Sequence, residues 1–172
     1  MDDRPRTRPY ARIERERRFA LDALPEAVDP GDYERLRDTY VAGADLRLRR
    51  IEAPDGTFVQ LKLGQKKADP DAPDDPRRRE MTTFYLREDE GRVLGTLPGA
   101  RSVKRRYRLR EQGRTFCIDV YEQPTAAAGT MVAEVECDAD DELDAIAMPA
   151  WATREVTTDE RFSGARLARS RA

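Results

Sequence analysis

The chain has 172 residues, 38% charged and 38% hydrophobic, with 32 Lys and Arg against 34 Asp and Glu and a net charge of −2. That length is one ordinary domain with room for an apolar interior, and the balanced charge excludes both the basic excess of a typical nucleic-acid binder and an acidic solvating tail. There is no histidine, which removes Cys/His zinc sites and Ser-His-Asp chemistry and leaves carboxylates, Lys, Arg and hard metal ions as reagents.

Residues 1–11 read as a basic, aperiodic arm expected to be disordered, and 12–172 as a single domain. From residue 12 the dominant period is two, so strands are expected over 12–19, 44–51, 57–63, 81–86, 103–109, 115–121 and 130–137. The first places Glu14, Glu16 and Arg18 on one face. A helix is expected over 30–39. Strand 44–51 sets Arg47 and Arg49 opposite Leu46 and Leu48, and a Pro-Asp-Gly turn within 53–57 leads into the strand that carries Lys62. Segment 64–79, with its three prolines and polar composition, reads as a long mobile loop.

After a helix expected over 88–97, strand 103–109 groups Lys104, Arg106 and Arg108, and a turn around Gly113 joins it to 115–121, with Cys117, Asp119 and Tyr121 on one face. Strand 130–137 groups Val132, Glu134 and Glu136. A helix over 138–147 opens on a capping aspartate, and another is expected over 159–169. Cys117 and Cys137 read as reduced core residues, and Trp151 as a packing anchor. No apolar run is long enough to span a bilayer and the first 18 residues lack a signal-peptide stretch, so a cytoplasmic protein with no membrane or nucleic-acid partner is expected.

A charged face on a half-buried strand is ordinarily solvated. Here the signs are sorted by strand, acidic on the first, sixth and seventh and basic between them. The expected helices also need the apolar sheet face to pack on, so the charged face points inward if the sheet closes. The expected fold class is therefore α+β, mainly antiparallel β, closed into a barrel with helices outside. Buried charges of both signs are costly unless a polyanion and metal ions neutralise them. Lysine is scarce, being limited to Lys62, Lys66, Lys67 and Lys104, and a lumen lysine suits proton donation to a leaving group better than a guanidinium does.

Glu14-Arg15-Glu16-Arg17-Arg18 resembles the ExExK signature of the CYTH domain, the triphosphate tunnel metalloenzyme family, with Arg18 in place of lysine. The likeness continues in order through LRLRR, VQLKLG, VKRRYRL, FCIDVY and MVAEVEC to the final REVTTDERFSGARLA, covering residues 13–168. The resemblance implies an eight-stranded antiparallel tunnel that cleaves inorganic triphosphate, thiamine triphosphate or nucleoside triphosphates, or cyclises ATP, with Mg²⁺ or Mn²⁺. Carried over by position, it implies Glu14, Glu16, Asp119, Glu134 and Glu136 as metal ligands. Arg18, Arg47, Arg49, Lys62, Lys104 and Arg106 would hold phosphates. Thr82 stands where many members have a second glutamate, and Gly164 where they have asparagine.

The expected function is a metal-dependent inorganic triphosphatase, in which one ion bridges phosphate oxygens and a second, held by Glu16 and Glu136, activates water, while Lys62 and Lys104 assist the leaving group. A cyclase, a thiamine triphosphatase and a non-catalytic polyphosphate-binding module are the alternatives. Whether the chain pairs as a homodimer is not set by the sequence.

Overall fold

The computed structural model describes residues 9–170, so most of the arm expected at 1–11 lies outside the described residues. Strands β1 (Arg12–Leu21), β2 (Glu34–Val41), β3 (Leu46–Glu52), β4 (Phe58–Ala68), β5 (Arg78–Leu86), β6 (Gly99–Glu111), β7 (Arg114–Gln123) and β8 (Met131–Cys137) form the sheet. Their order is β5-β4-β3-β2-β6-β7-β8-β1, every adjacent pair is antiparallel, and pairing of β1 with β5 closes the circle. The result is the expected eight-stranded barrel. A two-residue strand, β9 (Arg154–Glu155), adds to the β1 edge beyond its β5 partner.

Turn chemistry sets the hairpins. Gln112 and Gly113 both take positive φ, 53° and 70°, which is the two-residue turn whose twist matches the flanking β6 and β7. Between β3 and β4 the Asp55 carboxylate accepts from the Thr57 amide at 2.9 Å, and Gly56 has φ 89°.

Two expectations are corrected. The helix expected over 30–39 is instead β2, because Glu34–Val41 is claimed on both sides by ladders to β3 and β6, and tertiary pairing overrides a weak local preference. The loop expected over 64–79 is shorter than expected and confined to 69–77: β4 runs to Ala68 and β5 begins at Arg78. The short connection left is tied down by ion pairs, from Arg78 to Asp69 at 2.7 Å and from Arg77 to Asp144 at 2.7 Å.

Three short helices appear among the described residues: α1 (Glu88–Leu94), α2 (Asp140–Asp144) and α3 (Gly164–Ala168). The α2 cap is Ala139 and has no side-chain hydrogen bond, so the expected capping aspartate is absent. No helix among them is long and apolar enough to cross a membrane. Outward-facing Phe19, Tyr107, Phe116, Ile118 and Val135 make the main core with Leu143 and Ile146. Trp151 anchors it, edge-on to Phe116 at 5.3 Å and donating to Glu111 at 2.6 Å. A second cluster lies inside: Ala20, Tyr121 and Val132 point inward and pack against Val156 and Leu167, so the C-terminal segment plugs one end of the barrel instead of lying outside it.

Candidate functional site

Strict alternation carries the charged same-face residues of six strands into the lumen. β1 sends in Glu14, Glu16 and Arg18; β3 sends Arg47 and Arg49; β4 sends Lys62; β6 sends Lys104 and Arg106; β7 sends Asp119; β8 sends Glu134 and Glu136. All the residues expected to hold metal or phosphate therefore share one interior. β3 and β8 stand four strands apart in either direction around the barrel, so Arg47 and Arg49 face Glu134 and Glu136 across it.

Among the lumen residues that escaped the sequence reading, Asp38, Tyr40 and Lys66 did so for identifiable reasons. Asp38 and Tyr40 lie on β2, which was expected to be helical, and Lys66 lies on the part of β4 expected to be loop. Asp38 is buried and accepts both Arg49 guanidinium bonds at 2.7 Å. Burial alone would raise the Asp38 pKa, but the Arg49 charge and hydrogen bonds win and hold it well below the usual range. The alternation of Leu36, Asp38 and Tyr40 against Arg35, Arg37 and Thr39 was the available signal.

The basic wall has two kinds of cation. Arg106 forks onto Asp119 at 2.6 and 2.7 Å and reaches Glu134 at 2.8 Å, and the Lys104 ammonium is buried between Asp119 and the Tyr121 ring. Those cations are fixed by carboxylates. Arg47 and Lys62 have no ion pair among the described residues. Lys62 lies 5.8 Å from the Tyr85 ring, and burial together with the charges of Arg49, Arg106 and Arg47 pulls its pKa below the usual 10.5. Positive charge there exceeds what the protein neutralises.

The acidic wall shows the opposite excess. Glu16 and Glu136 are register partners on adjacent strands, as are Arg18 and Glu134. Burial, then the charges of Glu14, Glu134 and Glu16, push the Glu136 carboxyl up to about 7. Lys66 bridges Glu14 and Glu16 at 2.6 and 2.9 Å, and the buried Arg18 lies 3.8 Å from Glu16 while donating to the Thr157 carbonyl at 2.6 Å.

A hard divalent cation fits this donor set in chemistry and in charge, since every donor is a carboxylate and one carboxyl is driven toward protonation by its neighbours. Among the described residues no three such side chains converge as a ready-made cage, and Asp119 is spoken for by Lys104 and Arg106. Glu14, Glu16, Glu134 and Glu136 are the side chains that would hold an ion. Cys117 and Cys137 are free thiols.

The other departures are placed as well. Lys66 pairs with Met81, so Thr82 lies on the outer face with Glu80 and does not touch the phosphate side of the lumen. At Gly164 a β-carbon would overlap the Tyr40 hydroxyl, so the tyrosine occupies the space an asparagine would need.

No protein-family model matches the chain, and no curated protein does. Among solved structures the barrel is similar to that of the inorganic triphosphatase NE1496, with a TM-score of 0.59 and 21% identity over 92% of this chain and 95% of that one. It is also similar to a conserved hypothetical protein from Pyrococcus furiosus, with a TM-score of 0.52 and 16% identity over 77% and 83% of the two chains. At these identities the likeness is one of fold.

Proposed function

We propose that the lumen binds a triphosphate and, with Mg²⁺ or Mn²⁺, hydrolyses one of its phosphoanhydride bonds, inorganic triphosphate being the foremost substrate. One observation carries this reading: a single lumen sets Arg47 and Lys62, without ion pairs among the described residues, across from the clustered carboxylates of Glu14, Glu16, Glu134 and Glu136, and burial followed by like charges lowers the pKa of Lys62 and raises that of Glu136. A polyanion with a divalent cation relieves both excesses at once, and neither alone does. The shared barrel of an inorganic triphosphatase supports the same substrate class.

In this reading Arg47 and Lys62 donate to phosphate oxygens, since no carboxylate competes for them among the described residues. Arg49 and Arg106 are held in orientation by Asp38 and Asp119, so their charge is directed at the lumen without reorganisation. Lys62, with its lowered proton affinity, is suited to protonate the departing phosphate. Bound at Glu14, Glu16, Glu134 and Glu136, a divalent ion would supply charge neutralisation and a water of lowered pKa.

Tyr85 favours a second reading. It is 69% exposed beside Lys62, an aromatic surface on which the ring of a nucleoside or thiamine triphosphate could stack. Phosphate release from inorganic triphosphate, ATP and thiamine triphosphate, each with Mg²⁺ and with Mn²⁺, separates the two. Metal-dependent release fastest on inorganic triphosphate supports the first reading. Preference for an ester, lost in Tyr85→Ala, supports the second. Metal-independent binding without any release would make the protein a polyphosphate-binding module.

A further inference from the structure

Three of the four lysines enter the lumen, and Lys66 alone enters its acidic side. Its ammonium takes one oxygen of Glu14 and one of Glu16, at 2.6 and 2.9 Å. The remaining oxygens face Arg12 and Arg18, each at 3.8 Å. Glu136, directly across from Glu16, has among the described residues only Arg12 at 3.7 Å, and its side chain is half exposed. The Glu14 and Glu16 pair therefore already carries a cation at hydrogen-bond distance, whereas the cation beside Glu136 stands farther off.

An ammonium is a compact point charge, and between two carboxylates it fills the position that a metal ion would take. We propose that Lys66 is a built-in cation of the acidic wall, seated between Glu14 and Glu16 in place of one of two divalent ions, so that the chain binds a single exchangeable divalent ion. The inference rests on reading the acidic wall as a metal site. A divalent ion entering between Glu14 and Glu16 must break two short ion pairs and leave the ammonium stranded on a partly enclosed wall. An ion drawn to Glu136 breaks none as short.

The test counts Mn²⁺ bound per chain, from the electron paramagnetic resonance signal of free Mn²⁺, in the wild type and in Lys66→Met, Lys66→Gln and Lys66→Arg. One ion is expected for the wild type and for Lys66→Arg, which keeps the charge, and two for the neutral variants. Circular dichroism identifies the folded variants, and Lys66→Gln carries the test if Lys66→Met does not fold. Two ions in the wild type, or one in every variant, overturns the role of Lys66 and leaves the metal site standing. No bound ion in any protein overturns the metal site and this inference with it.

Discussion

Asp38 shows how a single lumen residue couples folding to pH. Its folded pKa is lowered by Arg49, so the stabilisation it brings is complete above the ordinary carboxylate value near 3.8 and is lost as pH falls below that value. Asp38→Asn strands a buried guanidinium and is expected to lower stability by about 3–5 kcal/mol at pH 7. It is also expected to flatten the acid limb of a plot of Tm against pH, and an unchanged acid limb in urea or thermal melts contradicts the assignment. Lys62 differs because no carboxylate among the described residues holds it. Lys62→Ala is expected to leave Tm nearly unchanged and to lower kcat/KM for triphosphate on the order of a hundredfold, as measured by phosphate release. The basic residues of the site were visible in the sequence, because alternation over LRLRR and VKRRYRL assigns them a face without reference to any other strand. Which of them are saturated was not visible, because that depends on carboxylates from strands distant in sequence.

The short helices are held by tertiary contacts, since five to seven residues cannot sustain a helix in water. α1 lies so close to the barrel that a β-carbon on Gly91 would overlap the Leu61 side chain, and α3 approaches Tyr40 as closely at Gly164. Gly164→Ala is expected to destabilise the plug by about 1–3 kcal/mol. Removing the obstructing hydroxyl with Tyr40→Phe should recover part of that loss, so a double-mutant cycle by thermal denaturation that shows simple additivity contradicts the contact. Strand assignments were most legible where both faces alternated, as in β3, β6, β7 and β8. β2 was hidden because Pro30 and Gly31 preceding a charged segment imitate a helix start, and only the ladders to β3 and β6 decide otherwise.

For the whole molecule, closure turns a set of charged strand faces into one electrostatic site. A divalent ion that binds the folded lumen and not the unfolded chain raises stability by about 2.7 kcal/mol at a hundredfold excess over its Kd. Mg²⁺ or Mn²⁺ is therefore expected to raise Tm, EDTA to reverse the rise, and Glu136→Gln to abolish it in differential scanning fluorimetry. A Glu16→Gln protein that kept full metal-dependent phosphate release would remove the acidic wall from the proposed function.

By itself the sequence determined the closed antiparallel barrel and most of the residues of its two charged walls, because period-two alternation and the sorting of signs by strand are local properties of the chain. Only the tertiary structure decided how those charges are spent. Pairing β2 between β3 and β6 brought Asp38 to Arg49, and extending β4 brought Lys66 to Glu14 and Glu16. Those partners lie 11 to 52 residues apart in the chain, and no local pattern encodes which carboxylate a cation will meet once the sheet has closed.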